Sequence, residues 1–444
     1  MSFPPPRSIL YNRPCMNPDS HPDIDQQHLR ERAREVLLNN YHATGDRYIT
    51  PAWPHYKNQW VWDSSFHAIA CGELGMGELA KNEIRTLLEF QDGRGWIPHR
   101  IYHGQYNLLD LERPLYRTGG WHPETSQLVG QPVIAQAVEA INEPAFTAEV
   151  IEQLVTFYRY FLRYRDAENI LSIISPRESG RDAAPEFDFF RPVMPKTFRV
   201  LGKLLDPLYV LRLDWRLMRA GWDEAEIFRR NIFHVKDVAE HCIFIDGLYA
   251  LGKLLEQTDR TGLFPDIKAV TLRCERALLE QAWDEVSRTF YPLRVEHTKD
   301  GQWRLEPIRE LSLGALFPLL LRDLPADILE QLVADVSDPK SFGTPYPVPS
   351  VPACHPRFDP SGKFPIWRGP TWINSNWFLI RGLMRQGRVE TARHIARASL
   401  DMVSREGFRE FFDPFDGSGM RVDDFGWSTL VTTFPGLVDD PSSE

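Results

Sequence analysis

Apolar residues recur at helical spacing in about a dozen stretches of this chain, while strand-like alternation is nearly absent. Between the helical stretches lie polar loops that carry Trp, Asp, Gln and Arg. Helical spacing covers a segment opening at Pro22 and Asp23, then 133–141, 147–164, 206–219, 225–258 in two pieces, 265–283, 312–321, 326–336, 374–386 and 389–403. A small hairpin is expected at 285–293 and 298–305. Helices in this number can pair and close into an all-α (α/α)6 toroid, a six-hairpin barrel with long active-site loops gathered at one end. An open solenoid would need a fixed sequence period, and none is present. The domain expectation is an N-terminal surface segment at 1–21, rich in Pro, Ser and Asn, followed by one catalytic domain over 22–440.

With 444 residues, 43% of them hydrophobic, the chain can bury a large core. A formal net charge of −10 and the absence of a basic run argue against nucleic acid as a partner. No apolar stretch approaches the ~20 residues of a membrane span, so no membrane partner is expected. Five scattered cysteines make neither a disulfide framework nor a zinc pattern, which points to the cytoplasm. No His pair has metal-ligand spacing, so neither a metal nor a cofactor is expected. The sequence says nothing of oligomeric state.

Thirteen tryptophans are many for this length. Trp53, Trp60, Trp62, Trp121, Trp367, Trp372, Trp377 and Trp427 sit among polar residues, where a flat ring can stack on the C–H face of a sugar. Asp63, in QWVWDSSFH, fits a helix N-cap as well as a sugar ligand. Gln127 and Gln131 offer amides that both donate and accept. Arg368, between Trp367 and Gly369, needs a carboxylate to brace if buried. His67 and His99 read as packing residues.

Two stretches concentrate charge. In Ser175–Asp182, SPRESGRD, Pro176 stops a helix and Gly180 allows a sharp turn, with Arg177, Glu178, Arg181 and Asp182 in one short loop. Such a loop is either a pocket rim or a solvated turn with surface ion pairs. In 406–430, Glu410 lies among Phe408, Phe411, Phe412 and Phe415. Rings that bury this carboxylate would raise its pKa toward neutrality, where it serves as acid or base.

Seven segments in order resemble glycoside hydrolase family 63 and its trehalase-like relatives. They are WDSSFHA at Trp62–Ala68, QP at Gln131–Pro132, ESGRD at Glu178–Asp182, DPL at Asp206–Leu208, PYPVPS at Pro345–Ser350, WRGPTWINSNW at Trp367–Trp377, and Glu410 through DPFDGSG to FGWSTL. They span about residue 50 to 432. The resemblance implies the (α/α)6 toroid and an inverting mechanism, with Asp182 as general acid and Glu410 as general base. It also implies sugar contacts from Asp63, Gln131, Trp367, Arg368 and Trp372. Trp60, Trp62, Gly180, Arg177 and Arg212 complete the candidate substrate-binding set. Where relatives often carry Asn-Ser after the acid, this chain has Ala183-Ala184. The single-toroid length is similar to that of bacterial family members acting on mannosylglycerate and glucosylglycerate. The expected partner is therefore a small carbohydrate: a short α-glycoside with an anionic aglycone, gripped by Arg177, Arg181 or Arg212. A trehalase-like or oligosaccharide α-glucosidase is the enzymatic alternative, and a sugar-binding helical scaffold the non-enzymatic one.

Overall fold

A computed structural model describes residues 25–42, 47–105, 115, 124–191, 199–297 and 302–439. The 1–21 segment, the expected helix start at Pro22 and Asp23, Cys15 and Trp121 lie outside them, while the helix itself is described over Gln26–Asn39. Described helices fall into two classes by how their side chains are spent. Val61–Glu73 is buried at every position from Val61 to Cys71, and Val238–Gln257 from Val238 to Leu251. Ile373–Arg385 is buried without a break from Ile373 to Ile380. A helix covered on all sides belongs inside a helical layer rather than on its surface. By contrast, Gly77–Glu89 and Val389–Glu406 each bury one face and expose the other.

The interior elements pack in a closed order. Val61–Glu73 lies on Ile134–Ile141, which lies on Val238–Gln257. Val238–Gln257 packs on the 3₁₀ segment Leu313–Leu320, which packs on Ile373–Arg385. Ile373–Arg385 meets the 3₁₀ segment Gly426–Thr433, which returns to Val61–Glu73. A second set covers them from outside: Gly77–Glu89 on Val61–Glu73, Ile267–Ala282 and Pro144–Tyr164 on Val238–Gln257, Ala326–Ser337 on Leu313–Leu320, Val389–Glu406 on Ile373–Arg385, and Gln26–Asn39 on Gly426–Thr433. The fold is thus mostly helical. No described helix is long and apolar enough to cross a membrane. Cys71, Cys242, Cys274 and Cys354 are free thiols.

Four expectations need correction. The helix at Val61–Glu73 begins two residues before Asp63, so Trp60 is its N-cap and Asp63 sits in its first turn. The 206–219 helix starts at Arg199 and carries Pro207 inside it; an internal proline removes one backbone hydrogen bond but does not forbid the helix. The 312–321 segment is 3₁₀ rather than α. Strand is also more than a lone hairpin. Ser172–Ile173, Val235–Lys236, Leu293–His297 and Trp303–Pro307 form one antiparallel sheet in that order, with Ser172 opposite Lys236, Val235 opposite Arg294 and Leu293 opposite Pro307. Two-residue strands are too short to betray themselves by alternation. The first of them delivers the chain to the Ser175–Asp182 loop.

Candidate active site

That loop is a buried strut rather than a solvated turn. Ser175 caps a single 3₁₀ turn, Pro176–Ser179, by accepting from the Arg177 N–H, and Gly180 closes it at φ +65°. Glu178 accepts both of its forked bonds from Arg165 at 2.8 Å and two more from the backbone N–H groups of Val129 and Ile174. Arg181 donates to Glu186 at 2.5 Å and to Asp237 at 2.7 Å, all three groups being buried. Asp237 also caps Val238–Gln257, taking the Glu240 N–H at 2.9 Å. The loop is therefore pinned to an interior helix on one side and to Arg165 on the other. Of its charged residues, Arg177 and Asp182 face a cavity, while Glu178 and Arg181 do not.

The cavity has a volume of about 340 Å³, at the small end for ligand pockets. Asp182 and Glu410 both line it, with Trp60, Trp62, Asp63, Gln131, Gly180, Arg177, Trp367 and Trp372. Ten of the twelve sequence candidates thus converge. Two do not. Arg212 is exposed on its helix and outside the cavity wall. Arg368 is buried behind the wall, donating to the Ala183 carbonyl at 3.1 Å and to Asp188. It braces the backbone following Asp182, so Ala183 contributes through its carbonyl. Arg191 does likewise, donating to the Asp182 carbonyl at 2.7 Å and to Asp206 at 2.7 Å.

The walls are built by short-range geometry. Gln59–Trp60 pairs with Arg100–Ile101, and the helix that follows at once turns Trp62 and Asp63 inward from its first turn. Gly180 lies under Trp62 and Gln131; a Cβ there would sit 3.4 Å from the indole and 3.5 Å from the amide nitrogen. Trp367 and Trp372 stack at 3.8 Å, nearly parallel, and Trp372 meets Trp427 edge-on. Trp62 Nε1, Asp63 Oδ1, Gln131 Oε1, Trp372 Nε1 and Glu410 Oε2, all on lining residues, have no hydrogen-bond partner among the described residues. Buried polar atoms are normally satisfied, so such a cluster on aromatic walls suits a ligand rich in hydroxyls.

Burial pushes the Glu410 carboxyl up to about 7, and Asp182 adds to the rise. Arg421 and the Tyr56 hydroxyl, each 3.1 Å from Oε1, pull against it. Asp182 opens onto the cavity rather than packing into the core, yet the enclosing protein raises its carboxyl too. Arg191, Arg177 and Arg421 oppose that rise, and Asp206 supports it. Burial also holds Asp63 well above the carboxylate range. Three carboxyls raised above their ordinary values line one cavity, and groups so shifted can exchange protons with a bound molecule.

Trp427, one of the polar-flanked tryptophans, lines the cavity as well, while several lining residues escaped sequence reasoning: Tyr56, His99, Arg100, Arg421 and Phe425. His99, expected to be packing, lines the cavity with Nδ1 2.5 Å from Ser126 Oγ; burial keeps its ring well below the usual His range and so neutral. Trp427 donates its indole N–H to the Glu410 carbonyl at 3.0 Å. Of the other polar-flanked tryptophans, Trp377 is core and Trp53 exposed. Gln127 is not part of the wall. Among the described residues no group of His, Cys, Asp and Glu is arranged to hold a metal ion.

Residues 56–428 match the family of mannosylglycerate hydrolase MGH1-like glycoside hydrolase domains. A mannosylglycerate hydrolase of Thermus thermophilus is 28% identical over 437 residues, covering 91% of this chain and 99% of that protein. The crystal structure of a GH63 mannosylglycerate hydrolase from Thermus thermophilus in complex with Tris and D-glycerate is similar, with a TM-score of 0.77 at 26% identity over 92% of this chain and 100% of that one. The complex of that enzyme with glucose gives a TM-score of 0.75 at 27% identity, with coverage of 92% and 100%. The chain therefore belongs to the mannosylglycerate hydrolase-like branch of glycoside hydrolase family 63 and is a glycosidase.

Proposed function

We propose that this protein hydrolyses mannosylglycerate or glucosylglycerate with inversion, using Asp182 as general acid and Glu410 as general base. The observation that carries the reading is the convergence of these two carboxyls in one small aromatic cavity, with Glu410 lifted to about 7. In this scheme Glu410 takes a proton from a water whose oxygen bonds to the anomeric carbon. The bond from that carbon to the glycerate oxygen breaks, and the Asp182 proton goes to the departing oxygen. A single (α/α)6 toroid goes with the reading; the closed packing order of the interior elements supports it. The free thiols are consistent with a cytoplasmic location.

The glycerate and glucose held by the Thermus thermophilus enzyme support the substrate class. Of the three arginines that could grip a glycerate carboxylate, Arg181 is committed to Glu186 and Asp237, and Arg212 lies outside the cavity. Arg177 lines the cavity, paired with Asp214, and we assign the carboxylate to it. Arg177 also pulls the Asp182 carboxyl down. A glycerate carboxylate would offset that charge and let the acid keep its proton, so the substrate would assist its own cleavage.

Glucosylglycerol, which lacks the carboxylate, should therefore show a lower kcat as well as a higher KM, and Arg177→Gln should narrow the gap. The test is a panel of mannosylglycerate, glucosylglycerate, glucosylglycerol, trehalose and malto-oligosaccharides, with NMR of the first anomer released. Equal kcat/KM on glucosylglycerate and glucosylglycerol would sink the anionic-aglycone reading. Preferred cleavage of trehalose would replace it with a trehalase-like one, and a retained anomer would reject inversion.

A further inference from the structure

Glu410 stands at the foot of a hairpin whose strands are Phe411–Phe412 and Gly419–Met420. Phe411 pairs with Met420, and one step further out the Glu410 N–H donates to the Val422 carbonyl at 3.0 Å. The hairpin register thus sets Arg421 across from Glu410. Arg421 adopts φ +68°, the left-handed region that a residue with a side chain enters only when its surroundings hold it there. From that position its Nη1 reaches Glu410 Oε1 at 3.1 Å. The Tyr56 hydroxyl, from a loop 354 residues earlier, donates to the same oxygen at 3.1 Å. Oε2 is buried and has no hydrogen-bond partner among the described residues.

We infer that Arg421 is a positioning residue for the base: with Tyr56 it clamps Oε1, commits Oε2 to the attacking water, and sets the pH range over which Glu410 works. The inference rests on the proposed role of Glu410 and adds the group that tunes it. A hydrogen bond from Tyr56 and an ion pair with Arg421 on one oxygen restrain the carboxyl, so the free lone pairs of the other oxygen keep a defined direction. The other charged or titratable groups facing Glu410 are Asp63 on the Val61–Glu73 helix, Asp182 and Arg177 on the acid loop, and His99 and Arg100 beside the first strand. Asp182 opposes ionisation of Glu410, whereas Arg421 heads the influences that favour it. Removing Arg421 leaves a buried carboxyl with only Tyr56 to favour its charged form.

The sign follows. Activity needs Glu410 ionised, so a higher pKa moves the acidic limb of kcat/KM to higher pH. Arg421→Gln should move that limb up by about one pH unit, the low end for a nearby opposite charge because the Arg421 side chain is partly exposed. The variant should therefore lose roughly tenfold more activity below the limb than above it. Arg421→Lys should restore most of the limb position but not the full kcat, since an ammonium supplies charge without the guanidinium's fixed geometry. A ¹³C NMR titration of the Glu410 carboxyl in the free protein reads the same shift without substrate. An unmoved titration in Arg421→Gln, with a loss of kcat equal at all pH values, would overturn the inference. A rise in KM alone would also overturn it, because Arg421 would then be a substrate contact. If the wild-type protein cleaves no glycerate glycoside, the functional reading fails by itself. The titration still decides whether Arg421 sets the ionisation of Glu410: a shift supports that, and no shift refutes it.

Discussion

Replacing Glu410 with glutamine is expected to lower kcat by roughly 10²–10⁴-fold while making the folded protein more stable at neutral and alkaline pH. Both effects have one origin. The amide keeps the acceptor that the Tyr56 hydroxyl uses but cannot take a proton from water. The carboxyl it replaces is raised from 4.5 to about 7 on folding. Between those values the native state holds a proton that the unfolded chain has released, so stability falls as pH rises from about 4.5 to about 7 and stays low above it. Glutamine avoids that loss, a gain on the order of 3 kcal/mol above pH 7 and none below the unfolded value. Thermal unfolding of both proteins at pH 4 and pH 8 checks the difference. Asp182→Asn should also lose most turnover on glycerate glycosides. It should still cleave a glycoside whose leaving group departs without protonation, whereas Glu410→Gln should not. If either variant kept near-normal kcat on the glycerate glycosides, the role given to that residue would be wrong.

Glu178→Ala should be among the most destabilising single changes in the described chain. Arg165 and Glu178 are each only 1% exposed, and Arg165 would be left as a buried charge without its forked partner. Breaking a buried pair in this way costs about 3–5 kcal/mol. The Val129 and Ile174 N–H groups lose their acceptor as well, each adding about 1–3 kcal/mol if they stay buried and unbonded. Activity should fall even below the melting temperature, because the turn that carries Arg177, Gly180 and Asp182 would lose its shape. Glu178→Gln, which keeps an acceptor in place, should lie between wild type and alanine. A urea titration placing Glu178→Ala within about 1 kcal/mol of wild type would mean that the loop is not held by this strut.

What was legible in the sequence follows the range of the forces involved. The helical layers could be read because burial writes itself into spacing within ten to twenty residues. The high pKa of Glu410 could be anticipated from its phenylalanine neighbours, and Phe408, Phe411 and Phe412 are indeed buried, with Phe415 left at the surface. The partners that moderate that pKa could not be anticipated. Tyr56 comes from the far end of the chain, and Arg421 reaches Glu410 only through hairpin register. Arg212 misled for a different reason. The helix holding it runs unbroken from Arg199 to Arg219, and residues two apart on a helix face nearly opposite ways. Asp214 is turned inward to Arg177, so Arg212 is turned out. Trp367 and Arg368 differ likewise: the ring faces the cavity and the guanidinium goes back to Asp188. A motif names a place in the chain, and side-chain direction is settled by what packs behind it.

The stretch from Glu410 to Trp427 holds the proposed base, the arginine paired with it, two aromatic wall residues and the indole bond back to the Glu410 carbonyl. The Ser175–Asp182 loop draws its supports from Arg165, Glu186, Asp237 and Arg368 instead. The two proposed catalytic carboxyls thereby rest on largely separate stretches of chain. An eighteen-residue graft from a relative would carry the proposed base together with its arginine partner, with Tyr56 still supplied by the scaffold, and the supports under Asp182 would not need to be rebuilt. Recombination of this kind is a direct route to enzymes of the same fold that work in more acidic or more alkaline conditions.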